Sequence, residues 1–112
     1  MRLHFIAIGG SIMHSLALAL QASGYEVSGS DDAIHEPARS RLSAAGLLPP
    51  AEGWFPERLS ARIDAVILGM HAKADNPELL AAQERGLAIY SFPAFLHYLM
   101  GDAQQVVVAG SH

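Results

Sequence analysis

The sequence of 112 residues contains no cysteine. This absence excludes disulfides and thiolate metal sites, and it suits a reducing compartment such as the cytosol. Basic residues are also few: 7 Lys and Arg stand against 11 Asp and Glu, for a formal net charge of −4. Because no run of Lys and Arg is present to neutralise phosphates, we expect no nucleic-acid-binding surface.

Long apolar runs are missing as well. The apolar stretches have the length of strands and are interrupted by glycine, so the sequence predicts no membrane-spanning segment and no secretory signal. The six histidines are scattered, and none shows the i, i+4 pairing with an acid that is typical of a zinc helix. We therefore expect a cytoplasmic protein without a metal site.

Apolar residues make up 51% of the chain, enough for the core of one small domain. Short apolar runs predict strands at residues 3–8, 25–30, 65–68, 87–90 and 106–109. Helical spacing and capping signals predict helices at residues 11–22, 36–45, 76–85 and 93–100. The segment 47–55 is ambiguous, and residues 56–61 could form one helical turn.

Strands that alternate with helices require crossover connections and predict a mainly parallel sheet. Continuous apolar strands such as residues 65–68 fit burial on both faces of that sheet. The expected fold is therefore an α/β, Rossmann-like three-layer domain with helices flanking the sheet. A self-contained domain rarely ends on an uncovered strand, so the strand at residues 106–109 suggests that the chain is truncated.

The first strand leads through a glycine turn into the first helix. Such a junction presents free backbone N–H groups and the positive helix end to a phosphate, and Gly9 and Gly10 would let it approach closely. The match to Gly-x-Gly-x-x-Gly is partial, because Ala7 and Ile12 stand where the first and third glycines belong. Ile12 is expected to push the helix away or to be accommodated by repacking, and a merely structural turn is the alternative.

Asp31 follows the second strand, 22 residues after Gly9 (31 − 9). In dinucleotide-binding enzymes an acid near this position binds ribose hydroxyls. The alternative is that Asp31 and Asp32 form a solvated turn pair. The same pattern leaves two other functions open: an NAD-binding domain of an oxidoreductase, which Ala7 and Ile12 disfavour, and a free-standing nucleotide sensor.

Five segments resemble the Mur ligase family in order and spacing. They are Ile8-Gly9-Gly10-Ser11-Ile12-Met13, Gly29-Ser30-Asp31, Asp75-Asn76-Pro77-Glu78-Leu79, Ser91-Phe92-Pro93-Ala94-Phe95-Leu96 and Val107-Val108-Ala109-Gly110-Ser111-His112. The resemblance covers the whole chain. It implies that residues 1–105 form a UDP-binding N-terminal domain and that residues 106–112 begin an ATP-binding central domain, whose loop would continue Gly-Lys-Thr.

Within this family, the residues around His14, Gly53-Trp54-Phe55-Pro56 and the segment 68–73 most resemble the murein peptide ligases. This implies a cell-wall recycling reaction that joins UDP-N-acetylmuramate to L-alanyl-γ-D-glutamyl-meso-diaminopimelate through an acyl phosphate, with ATP and Mg²⁺ in the complete enzyme. The muramate–alanine ligases share most of these segments and are the alternative. Since the Lys and Thr of the ATP loop are absent, the chain is expected to bind UDP-N-acetylmuramate without catalysing the ligation.

The resemblance and the glycine turn together assign the UDP site. The expected UDP-binding residues are Gly9, Gly10, Ser11, His14, Ser30, Asp31, Asp32, His71 and Lys73, and the partial ATP loop is Gly110, Ser111 and His112. No residue is a candidate for catalysis as a general base.

Less specific roles are open at several of these positions. Ser11 could be only a helix N-cap, His14 an exposed helix residue, and His71 and Lys73 part of a solvated loop. Trp54 and Phe55 either flank the uracil or cap the core. Met13 is expected in the core, whereas Glu78 and Glu84 are expected on helix surfaces.

Overall fold

The computed structural model describes residues 1–69 and 72–99 of the chain. The strands are β1 (Arg2–Ile6), β2 (Glu26–Ser30), β3 (Ala65–Leu68) and β4 (Ile89–Ser91). The helices are α1 (Ser11–Ala22), α2 (Ala38–Ala44), α3 (Pro77–Glu84) and α4 (residues 92–99), with a 3-10 turn at Pro56–Arg58. The strand predicted at residues 106–109 lies outside the described residues, as do His71, Gly110, Ser111 and His112.

The four strands form one parallel sheet in the order β2-β1-β3-β4. The chain therefore turns to opposite sides of β1 when it forms β2 and β3. In open α/β sheets, ligands bind at such a reversal, outside the carboxyl ends of the strands. The sequence alone does not define this strand order.

Side chains alternate between the two faces of the sheet, and each face has its own core. On the first face Leu3, Phe5 and Ile67 pack with residues of α1, α2 and α4, including Met13, Leu42 and Phe95. On the second face Ile6 and Val66 pack with Leu59 and with Leu79 and Ala82 of α3. Helices thus cover both faces, which confirms the predicted Rossmann-like three-layer fold. No helix in the described ranges is long and apolar enough to cross a bilayer.

Local signals set the ends of the helices. The Asn76 side chain accepts hydrogen bonds from the amides of Glu78 (2.9 Å) and Leu79 (3.2 Å), as expected of an N-cap before α3. Helix α2 begins at Ala38, two residues later than predicted. The Glu36 carboxylate lies just outside this helix and accepts a hydrogen bond from the Ser40 amide at 2.8 Å. It thereby pairs one of the first-turn amides that have no partner within the helix.

The expected conflict at Ile12 is wrong, because its side chain is 54% exposed and points away from the sheet. The segments that approach each other closely are instead the residues that follow β1 and β3. A Cβ on Gly69 would lie 2.8 Å from both the Ala7 Cβ and the Ile6 carbonyl oxygen. Ala7 itself has φ 68°, the left-handed conformation that glycine adopts most easily. The turn therefore keeps a glycine-like backbone at Ala7.

Gly29 is the tightest glycine in the sheet, because a Cβ there would lie 2.5 Å from the Ile8 Cδ1 and 2.7 Å from the Ile8 Cβ. We expect Gly29→Ala to lower the free energy of unfolding by about 1–3 kcal/mol, as overpacking does in a close-packed core. Urea unfolding measures this loss.

Gly10→Ala is the matched control. Its Cβ would lie 3.5 Å from the Met13 Cγ, an ordinary contact, at a residue with φ −60°. We expect a loss below about 1 kcal/mol there, from the change at the N-cap alone. Equal losses in the two variants would contradict the steric account of Gly29.

Candidate functional site

Two cavities share one lining residue, Asp32, beside the carboxyl ends of the strands. The loop cavity, of about 390 Å³, is lined by Gly9, Gly10, Ser11, Asp31, Asp32, Ala33 and His35. The tryptophan cavity, of about 350 Å³, is lined by Asp32, Trp54, Ala72, Lys73, Asp75, Asn76 and Pro77. Each is within the size range of small-molecule sites, and the two adjoin at Asp32.

The N-terminus of α1 borders the loop cavity. Gly10 is the N-cap residue, no side chain caps the helix, and its first turn contains no acid. The first intrahelical bond runs from the His14 amide to the Gly10 carbonyl oxygen at 2.8 Å, so the amides of residues 11–13 precede it. These donors and the helix dipole favour an anion. The alternative role of Ser11 as the N-cap is wrong, since Gly10 takes that position.

Asp31 is turned towards the glycine turn. Its carboxylate accepts a hydrogen bond from the Gly9 amide at 2.8 Å, and the residue is only 8% exposed. Burial raises the pKa of the Asp31 carboxyl above its usual value, although the bond from Gly9 opposes this shift. The Gly9 amide, which we expected to bind diphosphate, is therefore already occupied by Asp31.

His14 is buried rather than exposed, so neither sequence expectation for it describes its position. Its Nδ1 lies 3.0 Å from the Gly10 carbonyl oxygen, and its Nε2 lies 3.1 Å from the Arg41 guanidinium. Because Arg41 is only a donor, Nε2 accepts and Nδ1–H donates to Gly10. His14 thus links Gly10 of the glycine turn to Arg41 of α2 and stabilises the turn from its buried side.

Of the remaining predicted residues, Ser30 is fully buried. Its hydroxyl accepts from Arg58 at 3.1 Å, and the same guanidinium donates to the Gly29 carbonyl oxygen at 2.8 Å. Ser30 therefore fixes the end of β2 from inside. Asp32 and Lys73, in contrast, are exposed, and the tryptophan cavity brings them together.

The segment before the 3-10 turn forms one wall of the tryptophan cavity. The Gly53 amide donates to the Asp31 carbonyl oxygen at 2.8 Å, in an isolated antiparallel bridge. Trp54 packs against the core of the second face and also lines the cavity. Trp54 therefore contacts the core, as one of its two expected roles requires, and its contact with the uracil stays a prediction.

A buried, hydrogen-bonded pair of side chains lies beside this region. Glu78 Oε1 lies 2.7 Å from His4 Nε2, and both side chains are 0% exposed. The second carboxylate oxygen accepts from the Phe55 amide at 2.8 Å, while His4 Nδ1 lies 2.9 Å from the Ser28 hydroxyl. The expectation that Glu78 lies on the helix surface is wrong, because the first turn of α3 faces the sheet.

The environment of Glu78 also sets its ionisation. Burial alone would raise the pKa of the Glu78 carboxyl, but the hydrogen bonds from His4, Ser30 and the Phe55 amide outweigh it and lower the pKa. A folded-state pKa below the unfolded one means that Glu78 stabilises the protein above the unfolded pKa. This contribution is lost as the pH falls through the folded pKa.

Sequence reasoning missed four residues of this region. His35 lines the loop cavity, and Asn76 lines the tryptophan cavity. Arg41 donates to His14, and Arg58 donates to the Gly29 carbonyl oxygen at the end of β2. A usable signal existed for the buried network: His4, Ser28 and Ser30 interrupt apolar strands at alternate positions, which puts them on one face. No comparable signal marked the arginines, since helix and turn arginines are usually solvated.

A family model described as the catalytic domain of the Mur ligase family matches residues 2–104 of the chain. The chain belongs to the Mur ligase family. A UDP-N-acetylmuramate–L-alanine ligase of Lactiplantibacillus plantarum is 40% identical to it over 111 residues, covering 97% of this chain and 24% of that protein. The UDP-N-acetylmuramate–L-alanyl-γ-D-glutamyl-meso-2,6-diaminoheptandioate ligase of Escherichia coli K12 is 32% identical over 113 residues, covering 100% of this chain and 24% of that protein.

Solved structures of Mur ligases have the same fold. The UDP-N-acetylmuramate:L-alanyl-γ-D-glutamyl-meso-diaminopimelate ligase from Neisseria meningitides superposes with a TM-score of 0.76 at 32% identity, covering 87% of this chain and 30% of that chain. This Mur ligase chain spans about a quarter of the length of the curated relatives it matches. The resemblance inferred from five sequence segments is thus confirmed at the level of the family.

The buried Glu78 carboxylate generates a prediction about stability. We expect Glu78→Gln to lower the free energy of unfolding at pH 7 by about 1–3 kcal/mol, because the amide cannot accept from both His4 and Phe55. The difference from the wild type should narrow as the pH falls below the ordinary pKa of a Glu carboxyl and through the lowered pKa that Glu78 has in the folded state. Urea unfolding at several pH values measures it.

Glu84→Gln is the control on the same helix. Glu84 is exposed, so this change should stay within about 0.5 kcal/mol at every pH. A Glu78→Gln variant as stable as Glu84→Gln at pH 7 would refute the structural role of the buried pair.

Proposed function

We propose that this chain is the N-terminal domain of a Mur ligase and that it binds UDP-N-acetylmuramate through the uridine diphosphate group. The observation that carries the proposal is the uncapped start of α1 on the loop cavity, which meets the tryptophan cavity at Asp32. The names of both curated relatives include UDP-N-acetylmuramate as a substrate.

The charges around the cavities decide where the diphosphate goes. Ionised Asp side chains only accept hydrogen bonds, so Asp31, Asp32 and Asp75 repel phosphate oxygens. The amides of Ser11 and of the two residues after it are donors at a positive helix end, and Ser11 adds an exposed hydroxyl. The diphosphate therefore binds against the first turn of α1, and Gly10 keeps that approach free of a side chain.

The tryptophan cavity then takes the nucleoside. The indole of Trp54 offers an apolar surface to a flat base. Lys73 lies on the same cavity and balances part of the charge of Asp32 and Asp75. His71, which the sequence also predicts to bind UDP, lies outside the described residues.

For the whole protein we propose an ATP-dependent cytoplasmic ligase. Its reaction joins UDP-N-acetylmuramate to L-alanyl-γ-D-glutamyl-meso-diaminopimelate in cell-wall recycling, as for the E. coli relative, with L-alanine as the alternative amine, as for the L. plantarum relative. Mur ligases depend on ATP and Mg²⁺. Within the described ranges no three His, Asp or Glu side chains are grouped to hold a metal ion, so no step is assigned to Mg²⁺ here.

A ligand panel tests the binding proposal. Thermal melting is recorded with UDP, UDP-N-acetylmuramate, NAD and AMP, because a ligand that binds only the folded state stabilises it by RT ln(1 + [L]/Kd). We expect higher Tm values with the two uridine compounds and no change with NAD or AMP. A response to NAD alone would favour the oxidoreductase alternative and overturn the proposal.

One substitution isolates the main-chain donors. Ser11 is the first helical residue and follows Gly10 at ψ 151°, a position and a preceding conformation that both accept proline. We expect Ser11→Pro to fold with unchanged Tm and to bind UDP about 10- to 100-fold more weakly, since one charge-assisted hydrogen bond is removed. Isothermal titration calorimetry measures the affinity.

Ser11→Ala is the matched control, because it removes the hydroxyl and leaves the amide. It should lose less than about tenfold in affinity. If Ser11→Pro bound UDP as tightly as the wild type, the diphosphate would not lie at the start of α1.

Gly9→Val does not separate a loss of UDP binding from a loss of stability. A Cβ on Gly9 would lie 2.8 Å from Asp31 Oδ2 and 3.1 Å from the buried Ile34 side chain. The variant would therefore lose stability together with binding.

A further inference from the structure

Asp31 and Asp32 are neighbours in the chain but have different surroundings. Asp31 is 8% exposed, and its carboxylate accepts from the Gly9 amide at 2.8 Å. Asp32 is exposed and lines both the loop cavity and the tryptophan cavity. The acid that the sequence pattern selects for ribose, Asp31, is therefore the less available of the two.

The direction of the Asp31 side chain is fixed on two sides. Its carbonyl oxygen accepts from the Gly53 amide at 2.8 Å, so the backbone is held by the antiparallel bridge. Its carboxylate fills the space that a side chain at position 9 would need, 2.8 Å from the ideal Cβ of Gly9. Turning Asp31 towards a ligand would leave the partly buried Gly9 amide without this partner, and an unpaired amide away from water is costly.

Asp32 has the position that a ribose contact requires. In the proposed function the diphosphate lies at the start of α1 and the base lies against Trp54, so the ribose between them passes Asp32. A carboxylate offers two acceptor oxygens, which suit two neighbouring hydroxyl donors and do not suit phosphate. The carboxylate of Asp32 thus suits the two ribose hydroxyls and does not suit the diphosphate.

We propose that Asp31 is a positioning residue that holds the glycine turn through Gly9, and that Asp32 binds the 2′- and 3′-hydroxyls of the ribose. This inference rests on the proposed binding of UDP. The sequence pattern assigns the ribose contact to Asp31, whereas the inference gives Asp31 the support of the glycine turn and gives Asp32 the ribose contact.

The test compares UDP with 2′,3′-dideoxy-UDP, which lacks both hydroxyls, by calorimetry on the wild type, Asp31→Ala and Asp32→Ala. The wild type should prefer UDP by about tenfold or more. Asp32→Ala should lose this preference and bind the two ligands equally. Asp31→Ala should weaken both ligands by a similar factor and keep the wild-type preference.

We expect opposite effects of the two substitutions on the ratio of the affinities for UDP and 2′,3′-dideoxy-UDP. Each variant therefore serves as the control for the other. Loss of the preference in Asp31→Ala, or its persistence in Asp32→Ala, overturns the inference. If Asp31→Ala does not fold, Asp31→Asn replaces it, because the amide oxygen still accepts from Gly9.

The measurements on the wild type test this inference and the proposed function separately. Binding of UDP without a preference over the dideoxy compound would overturn the role of Asp32 and leave the proposed function standing. Binding of neither ligand would end both.

Discussion

The Glu78 carboxylate is the interaction on which this end of the sheet depends. It joins His4 of β1 and the Phe55 amide to the first turn of α3, and neither the His4 nor the Glu78 side chain is exposed. A buried carboxylate is tolerated only when its oxygens are satisfied, so these segments have to meet in one arrangement. Because Phe55 follows Trp54, the same contact fixes the wall of the tryptophan cavity. Packing on the second face of the sheet thus fixes one wall of the tryptophan cavity.

Most of the fold was predictable from local patterns. The bounds of α1 (Ser11–Ala22) and β3 (Ala65–Leu68) match the prediction, because their hydrophobic periods and glycine boundaries are clear. The strand order was not predictable, since it depends on contacts between segments far apart in the chain. Errors at α2 and at Ile12 arose in the same way: the Glu36 carboxylate and the Ala7–Gly69 approach become visible only in three dimensions.

The site was predictable in place and less so in detail. Glycine turns and acids after parallel strands gather at one edge, and the sequence therefore indicated the edge of the sheet at which the two cavities lie. It did not indicate which groups face outwards. Ser30 and His14 are turned inwards to satisfy main-chain and arginine partners, whereas Asp32 points into the cavities. Those choices depend on which donors remain unpaired after folding, a property of the whole assembly of strands.

The uncapped first turn of α1 has a consequence for how such a site tolerates change. Its donors are main-chain amides, and every residue type other than proline supplies the same N–H group. Sequence drift at residues 11–13 therefore leaves the number of donors on the cavity constant. Alanine at the exposed Ser11 or Ile12 would leave every one of these amides in place, so a scan of side chains would not detect them.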